Sequence, residues 1–300
     1  MVVVAPNTRI KCAPPEERWF STMRQFSKYV LNIMTVALIA AGITPAKGHG
    51  EIHLLISKLD KEIASNPSDT DKRLERAILL CQHGSHDKAL ADLKEVEKLA
   101  PKRPERHYVA ARVYMDQEKW ELAKSALDQH ISALPRQSDS YFLRSQVHIK
   151  RGKSGEAVAD VNQAIKLHSP APLNYYLHLI QIQEERGKVD QAIAACDQAR
   201  QSLGDLPNIM MMQARLLREE GRIEEASRIY AQIREKTPSL TFGMSLEEAK
   251  MWVKSNPQKA LGLLIQAESV WNSYSKSKRD RAPMQNLHQE LIATKQLLTK

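Results

Sequence analysis

Three hundred residues with 42% hydrophobic content suffice for a folded core, and 11 glycines with 5% aromatic residues argue against an all-β domain and against wholesale disorder. The formal charge of +9 is dispersed: residues 1–46 hold Arg9, Lys11, Arg18, Arg24 and Lys28 against Glu16 and Glu17, a surplus of three, which leaves six for 47–300. Lys and Glu interleave and no nucleic-acid motif accompanies them, so no nucleic-acid partner is expected.

The first predicted element is an export segment. Residues 30–43 read VLNIMTVALIAAGI, fourteen mostly apolar positions preceded by Arg24 and Lys28 and followed by Thr44, Pro45 and Ala46. A basic stretch, a short apolar stretch and a small-residue exit predict a secretory signal peptide within 1–46. Fourteen helical residues cover ~21 Å, short of the ~30 Å hydrocarbon core. An inner-membrane anchor formed by an uncleaved 30–43 is the alternative, and only then is a membrane a partner. A start at Met23 gives the basic stretch an ordinary length, so Met23 is read as the true start. No cysteine follows the apolar run, which argues against a lipid anchor. Cys81 and Cys196 lie three repeats apart, too far for a disulfide, and each is expected to pack as a small apolar residue. A chain with an export signal, no disulfide and no N-x-Ser/Thr sequon suits a bacterial periplasm, or secretion from a bacterium.

The mature chain repeats itself. Gly84, Glu118, Gly152, Gly187 and Gly221 follow one another at intervals of 34, 34, 35 and 34 residues, and an alanine stands five residues after each, at Ala89, Ala123, Ala157, Ala192 and Ala226. Prolines close several units, at Pro67, Pro101, Pro135, Pro170 and Pro238. Each period holds two apolar-periodic stretches of about a dozen residues around the glycine turn. Glycine permits the left-handed backbone that ends the first helix. Alanine lets the two helix axes approach, and proline stops the second helix. Leu90, Leu93, Val96 and Leu99 are spaced for one buried face, which a single pair cannot cover alone.

These positions resemble the tetratricopeptide repeat family. The family pattern is met by Ala77, Leu80, Gly84, Ala89 and Pro101 in the first unit. The second has Ala111, Tyr114, Ala123, Leu127 and Pro135, and the fifth has Ala214, Leu217, Gly221, Ala226, Tyr230 and Pro238. Three positions depart: Glu118 replaces the turn glycine, Ile180 a small residue, and Gly204 a proline. The resemblance, convincing over 66–238, implies an all-α, right-handed α-solenoid of about five helix pairs with helical caps. The predicted organisation is a signal region at 1–46, an N-terminal capping helix at 47–66, five units over 67–240, and a degenerate sixth unit with a C-terminal helix over 241–300. In that sixth unit Asn256-Pro257 stands for the glycine turn ahead of Ala260, Leu264 and Ala267. A basic segment, 273–283, precedes the last helix.

The resemblance also implies protein or peptide binding through a concave face lined by the first helix of each unit. With first helices counted from Thr70, Pro104, Ser138, Leu173 and Pro207, the inward offsets hold Tyr108, Phe142, His178, Met211 and Met212, flanked by Arg112, Gln146, Gln181, Glu184, Arg215 and Arg218. Aromatic and methionine side chains with arginines beside them suit an extended or helical segment. The same positions also serve packing between adjacent units, and the sequence leaves both roles open. The terminal-carboxylate clamp of the chaperone-binding subclass is not supplied at these offsets.

No cofactor or metal site is expected. His49 and His53 are four residues apart and His83 and His86 flank a turn, but zinc normally takes three or four ligands and His-Glu-x-x-His is absent. A periplasmic metal or small-ligand carrier using His49 and His53 is the alternative function. Gly152-Lys153-Ser154 mimics the end of a phosphate loop, yet Val147 stands where that loop needs its first glycine. With no nucleophile motif and no paired catalytic carboxylates, the chain is expected not to be an enzyme, and to act as an exported scaffold that holds a protein or peptide partner.

Overall fold

The structure is a computed structural model that describes residues 48–298. The predicted signal region, Met23 and the 30–43 stretch lie outside the described residues. Among those residues the fold is all-α, with no strand. Helices follow in the order α1 (Gly48–Ser65), α2 (Thr70–Gln82), α3 (His86–Leu99), α4 (Glu105–Asp116), α5 (Trp120–Ala133), α6 (Ser138–Lys150), α7 (Ser154–Leu167), α8 (Leu173–Glu185), α9 (Val189–Leu203), α10 (Pro207–Glu219), α11 (Ile223–Lys236), α12 (Thr241–Trp252), α13 (Pro257–Ser273), α14 (Lys276–Arg279) and α15 (Ala282–Leu297). A 3-10 turn, Pro238–Leu240, precedes α12. The chain forms two compact units that divide at Arg222 and Ile223, so α11, the last helix of the expected 67–240 block, belongs to the second.

The first unit is an α-solenoid built from α1 and the helix pairs that follow it. Its turns share one chemistry. Gly84, Gly152, Gly187 and Gly221 adopt φ of +77°, +70°, +66° and +74°, and each closes the helix before it with a bond from the next residue's N–H to a carbonyl five residues back. Ser85 donates to Leu80, Lys153 to His148, Lys188 to Gln183 and Arg222 to Leu217, each at 2.8 Å. The left-handed glycine thereby satisfies carbonyls that the helix end leaves bare. Glu118 makes the same turn at φ +57°, with Lys119 donating to Tyr114 at 2.8 Å. The repeat thus imposes its backbone on a residue that disfavours it.

Where the paired helices cross, Ala89, Ala123, Ala157 and Ala192 are fully buried, as are Ala77, Ala111, Ser145, Ile180 and Ala214 on the first helices. The cores are shared between neighbours. Leu74, Leu80, Leu93 and Val96 of one pair pack with Val109 and Val113 of the next first helix, and Ala123, Ala126 and Leu127 pack with Leu143 and Val147 of α6. Each fully buried aliphatic side chain contributes roughly 1.5–3 kcal/mol, so a pair without its neighbour loses several of these.

The second unit packs Phe242, Leu246 and Ala249 of α12, Leu264, Ala267 and Trp271 of α13, and Leu291 of α15 into one core. Asn256 caps α13 by accepting from the Lys259 N–H at 3.0 Å, with Pro257 as the first helical residue. The basic segment after α13 holds the short α14, and the Lys278 ammonium lies 3.4 Å from the Tyr274 ring centre.

Candidate partner-binding face

The candidate residues lie in the first unit on α4, α6, α8 and α10, the first helices of four successive pairs. Because the turns recur every 34 or 35 residues, corresponding side chains form columns across these helices. One column holds Arg112, Gln146, Gln181 and Arg215, six residues before each turn, and a second holds Met115, Ile149, Glu184 and Arg218, three before it. None of these eight side chains is buried.

Polar contacts tie parts of the face together. Glu184 of α8 accepts from Arg215 Nη2 of α10 at 2.7 Å, and Arg215 Nη1 donates to Glu219 at 3.0 Å. The carboxylates beside Arg215 hold its guanidinium in the charged form against the burial that opposes it. Gln181 is exposed and donates to Glu185 at 2.7 Å. Arg112 and Arg218 are half-buried and take part in further interactions.

The apolar strip read from the sequence divides in two. Tyr108 and Met211 are half-buried. Tyr108 sits 5.4 Å from the His130 ring, and burial pushes its hydroxyl pKa up to about 12. Phe142 is 1% exposed and Met212 is 4% exposed, so neither reaches a partner directly. Phe142 stacks on Tyr175 of α8 at 4.3 Å between ring centres and meets the His178 ring edge-on at 5.4 Å. The Tyr175 hydroxyl donates to Asp139 of α6. These rings join two successive first helices, which is a packing role.

His178 owes its place to the register. It stands nine residues before its turn, in the column of Val109, Leu143 and Met212, all of which are buried. An imidazole in that apolar column is costly to protonate, and burial lowers its pKa to about 4. Leu177, half-buried, occupies the position in α8 that corresponds to Tyr108 and Met211. It belongs on the face, and counting ten residues back from each turn would have found it.

A family profile and one solved structure agree with this architecture. A family profile described as tetratricopeptide repeat matches residues 108–172 and 142–207. The chain is similar to DnaJ homolog subfamily C member 3 of Gallus gallus, 27% identical over 199 residues that make up 57% of this chain and 39% of that protein. The Mus musculus counterpart is 26% identical over 218 residues, 64% of this chain and 43% of that protein. The chain therefore spans about two fifths of the length of the curated relatives it matches. Among solved structures, that of Naa15/Naa10 bound to HypK-THB aligns with a TM-score of 0.52 at 13% identity, covering 76% of this chain and 39% of that one, a likeness of fold. Pseudomonas aeruginosa PilF aligns at a TM-score of 0.48 and 15% identity, over 74% of this chain and 97% of that one.

Proposed function

This chain belongs to the tetratricopeptide repeat family, and from that premise we propose that it is an interaction scaffold that holds an extended or helical protein segment along the first-helix face of its first unit. The observation that carries the reading is the pair of columns from Arg112 to Arg215 and from Met115 to Arg218. They give four helices in succession a strip of hydrogen-bonding, charged and polarizable side chains that the core has not consumed. Tyr108, Leu177 and Met211 supply the apolar part beside it, and buried Phe142 and Met212, with half-buried His178 against the Phe142 ring, hold the helices that present it.

The chain works by binding and not by catalysis on this reading. The strip is open, whereas reaction chemistry calls for a water-excluding pocket with convergent polar groups. The scaffold is exported to a bacterial cell envelope, a reading supported by the apolar run at 30–43 with Arg24 and Lys28 before it. Among the described residues no helix is long and apolar enough to cross a membrane.

Cross-linking in extract followed by mass spectrometry tests the proposal. Arg215→Glu with Arg218→Glu should remove the specific cross-linked partner, while Lys94→Glu with Lys166→Glu, on exposed positions of second helices, should leave it. Retention of the same partner by the first double variant, with an unchanged helical circular-dichroism spectrum, would refute it.

A further inference from the structure

We infer that His53 and His83 form a binding site for a late first-row divalent metal ion, Cu2+ or Ni2+, that fastens the capping helix α1 to the first repeat. The two residues are 30 apart in the chain. His53 lies on α1 and His83 caps the end of α2, and the fold brings their Nε2 atoms to 3.0 Å. His53 is exposed and His83 half-buried.

In the absence of an ion the two nitrogens share a hydrogen bond, and their geometry also suits a shared ion. A linear Nε2–H···Nε2 bond of this length would hold the ring centres about 5.3 Å apart. The centres are 4.3 Å apart, with the ring planes at 70°, so the nitrogens stand side by side. Two imidazole nitrogens ~2.1 Å from one ion are about 3.0 Å apart when they subtend a right angle, and about 3.4 Å apart at the tetrahedral angle. The separation fits cis positions of a square or octahedral ion. Among the described residues no three His, Cys, Asp or Glu groups meet as a metal site, so water completes the shell. Zinc, which normally takes three or four protein ligands, is disfavoured, and copper(II) and nickel(II) suit imidazole in tetragonal geometry.

The surrounding residues orient the ligand. His83 Nδ1 lies 3.2 Å from Ser85 Oγ. Ser85 is the N-cap of α3 but makes no side-chain capping bond, so its hydroxyl oxygen can accept from Nδ1–H. That bond would leave the lone pair on Nε2, as outer partners of metal-bound histidines commonly do. The site differs from the pair read in the sequence, His49 with His53: His49 stands one turn earlier on the same helix, whereas His83 belongs to another.

Calorimetric titration of the full chain with Ni2+ or Cu2+ tests the site, using His49→Ala, His53→Gln and His83→Gln variants that keep the helices intact by circular dichroism. His53→Gln and His83→Gln should each weaken binding at least about tenfold, His49→Ala should weaken it much less, and the bound Cu2+ should show nitrogen coupling in its electron paramagnetic resonance spectrum. Metal should raise the melting temperature of the wild type and not of His83→Gln. No binding by the wild-type chain, or unchanged binding by His83→Gln, would overturn the inference. Loss confined to His49→Ala and His53→Gln would do so as well, by moving the site to the two histidines of α1.

Discussion

Arg144 and Asp160 form a two-pronged ion pair, Nε to Oδ2 at 2.8 Å and Nη2 to Oδ1 at 2.7 Å, and the third nitrogen of the same guanidinium reaches Asp128 at 2.7 Å. One side chain on α6 thereby ties α7 and α5. Arg76 on α2 repeats the device, joining Asp92 of α3 at 2.8 and 2.5 Å and Asp60 of α1 at 2.7 Å. In both cases the carboxylates lie sixteen residues to either side, and the two arginines are two repeats apart. Ala110 occupies the corresponding position in the unit between them and Leu179 that in the unit after Arg144, so the clip serves alternate pairs.

Burial sets the worth of each arm. The Asp160 side chain is 9% exposed and that of Asp128 is 38% exposed. Asp160→Asn leaves Arg144 without its bidentate partner in a half-buried setting and should cost roughly 1–3 kcal/mol. Asp128→Asn loses a solvent-screened pair and should cost less than about 1 kcal/mol. Urea midpoints of the two variants measure the difference, and the order of the two is the expectation at stake.

Glu118 holds a left-handed backbone where the other repeats have glycine. A side chain there costs roughly 1–2 kcal/mol, part of which glycine returns through its freer unfolded chain. Glu118→Gly should therefore raise stability by about 0.5–1 kcal/mol, and Gly152→Glu should lower it by a similar amount. Urea denaturation of both should show opposite displacements of the midpoint.

The pH response of the first unit should carry the mark of His178. Its ring nitrogen Nε2 is buried without a hydrogen-bond partner, and burial lowers its pKa from 6.5 to about 4. With the folded value depressed, the unfolded chain binds the proton more readily between these two values. Stability is full above 6.5 and falls as pH drops toward about 4, by at most ~3 kcal/mol. His107, His130 and His148 are lowered by burial in the same direction. His178→Phe should remove the largest single part of the loss, read as a smaller gap between melting temperatures at pH 7 and pH 5.

Cys81 and Cys196 are free and buried, and burial, as the leading cause, pushes each thiol up to about 12. Cys81 also donates to Asp116 at 3.3 Å, and the nearby carboxylate further disfavours the thiolate. Alkylation with iodoacetamide at pH 8, read by mass spectrometry at these two sites, should be negligible in the folded chain and complete in urea. Rapid labelling of either in the folded chain would contradict their placement.

The repeat fixed much of this protein at the level of the chain. Helix starts at Thr70, Ser138, Leu173 and Pro207, the left-handed turns and the buried alanines follow from local backbone preference and from the spacing of apolar residues. Such signals are written within a dozen residues and need no knowledge of neighbours. The turn before α13 follows the same rule, since Asn256 and Pro257, read as standing for the glycine turn, cap and begin that helix.

What the chain alone left open is which way individual side chains turn once pairs stack. Phe142 and Tyr108 stand at one repeat position, yet the first is sealed against Tyr175 and the second is half-open, because α8 brings an aromatic ring to Phe142. His178 lay one residue from the face column and fell into the apolar one. The arginine clips and the His53–His83 contact join residues 16 and 30 apart whose meeting no local pattern encodes. Local propensity determined the helices and turns, and only the stacking of one pair on the next decided which surfaces were spent in the core and which were left outside it.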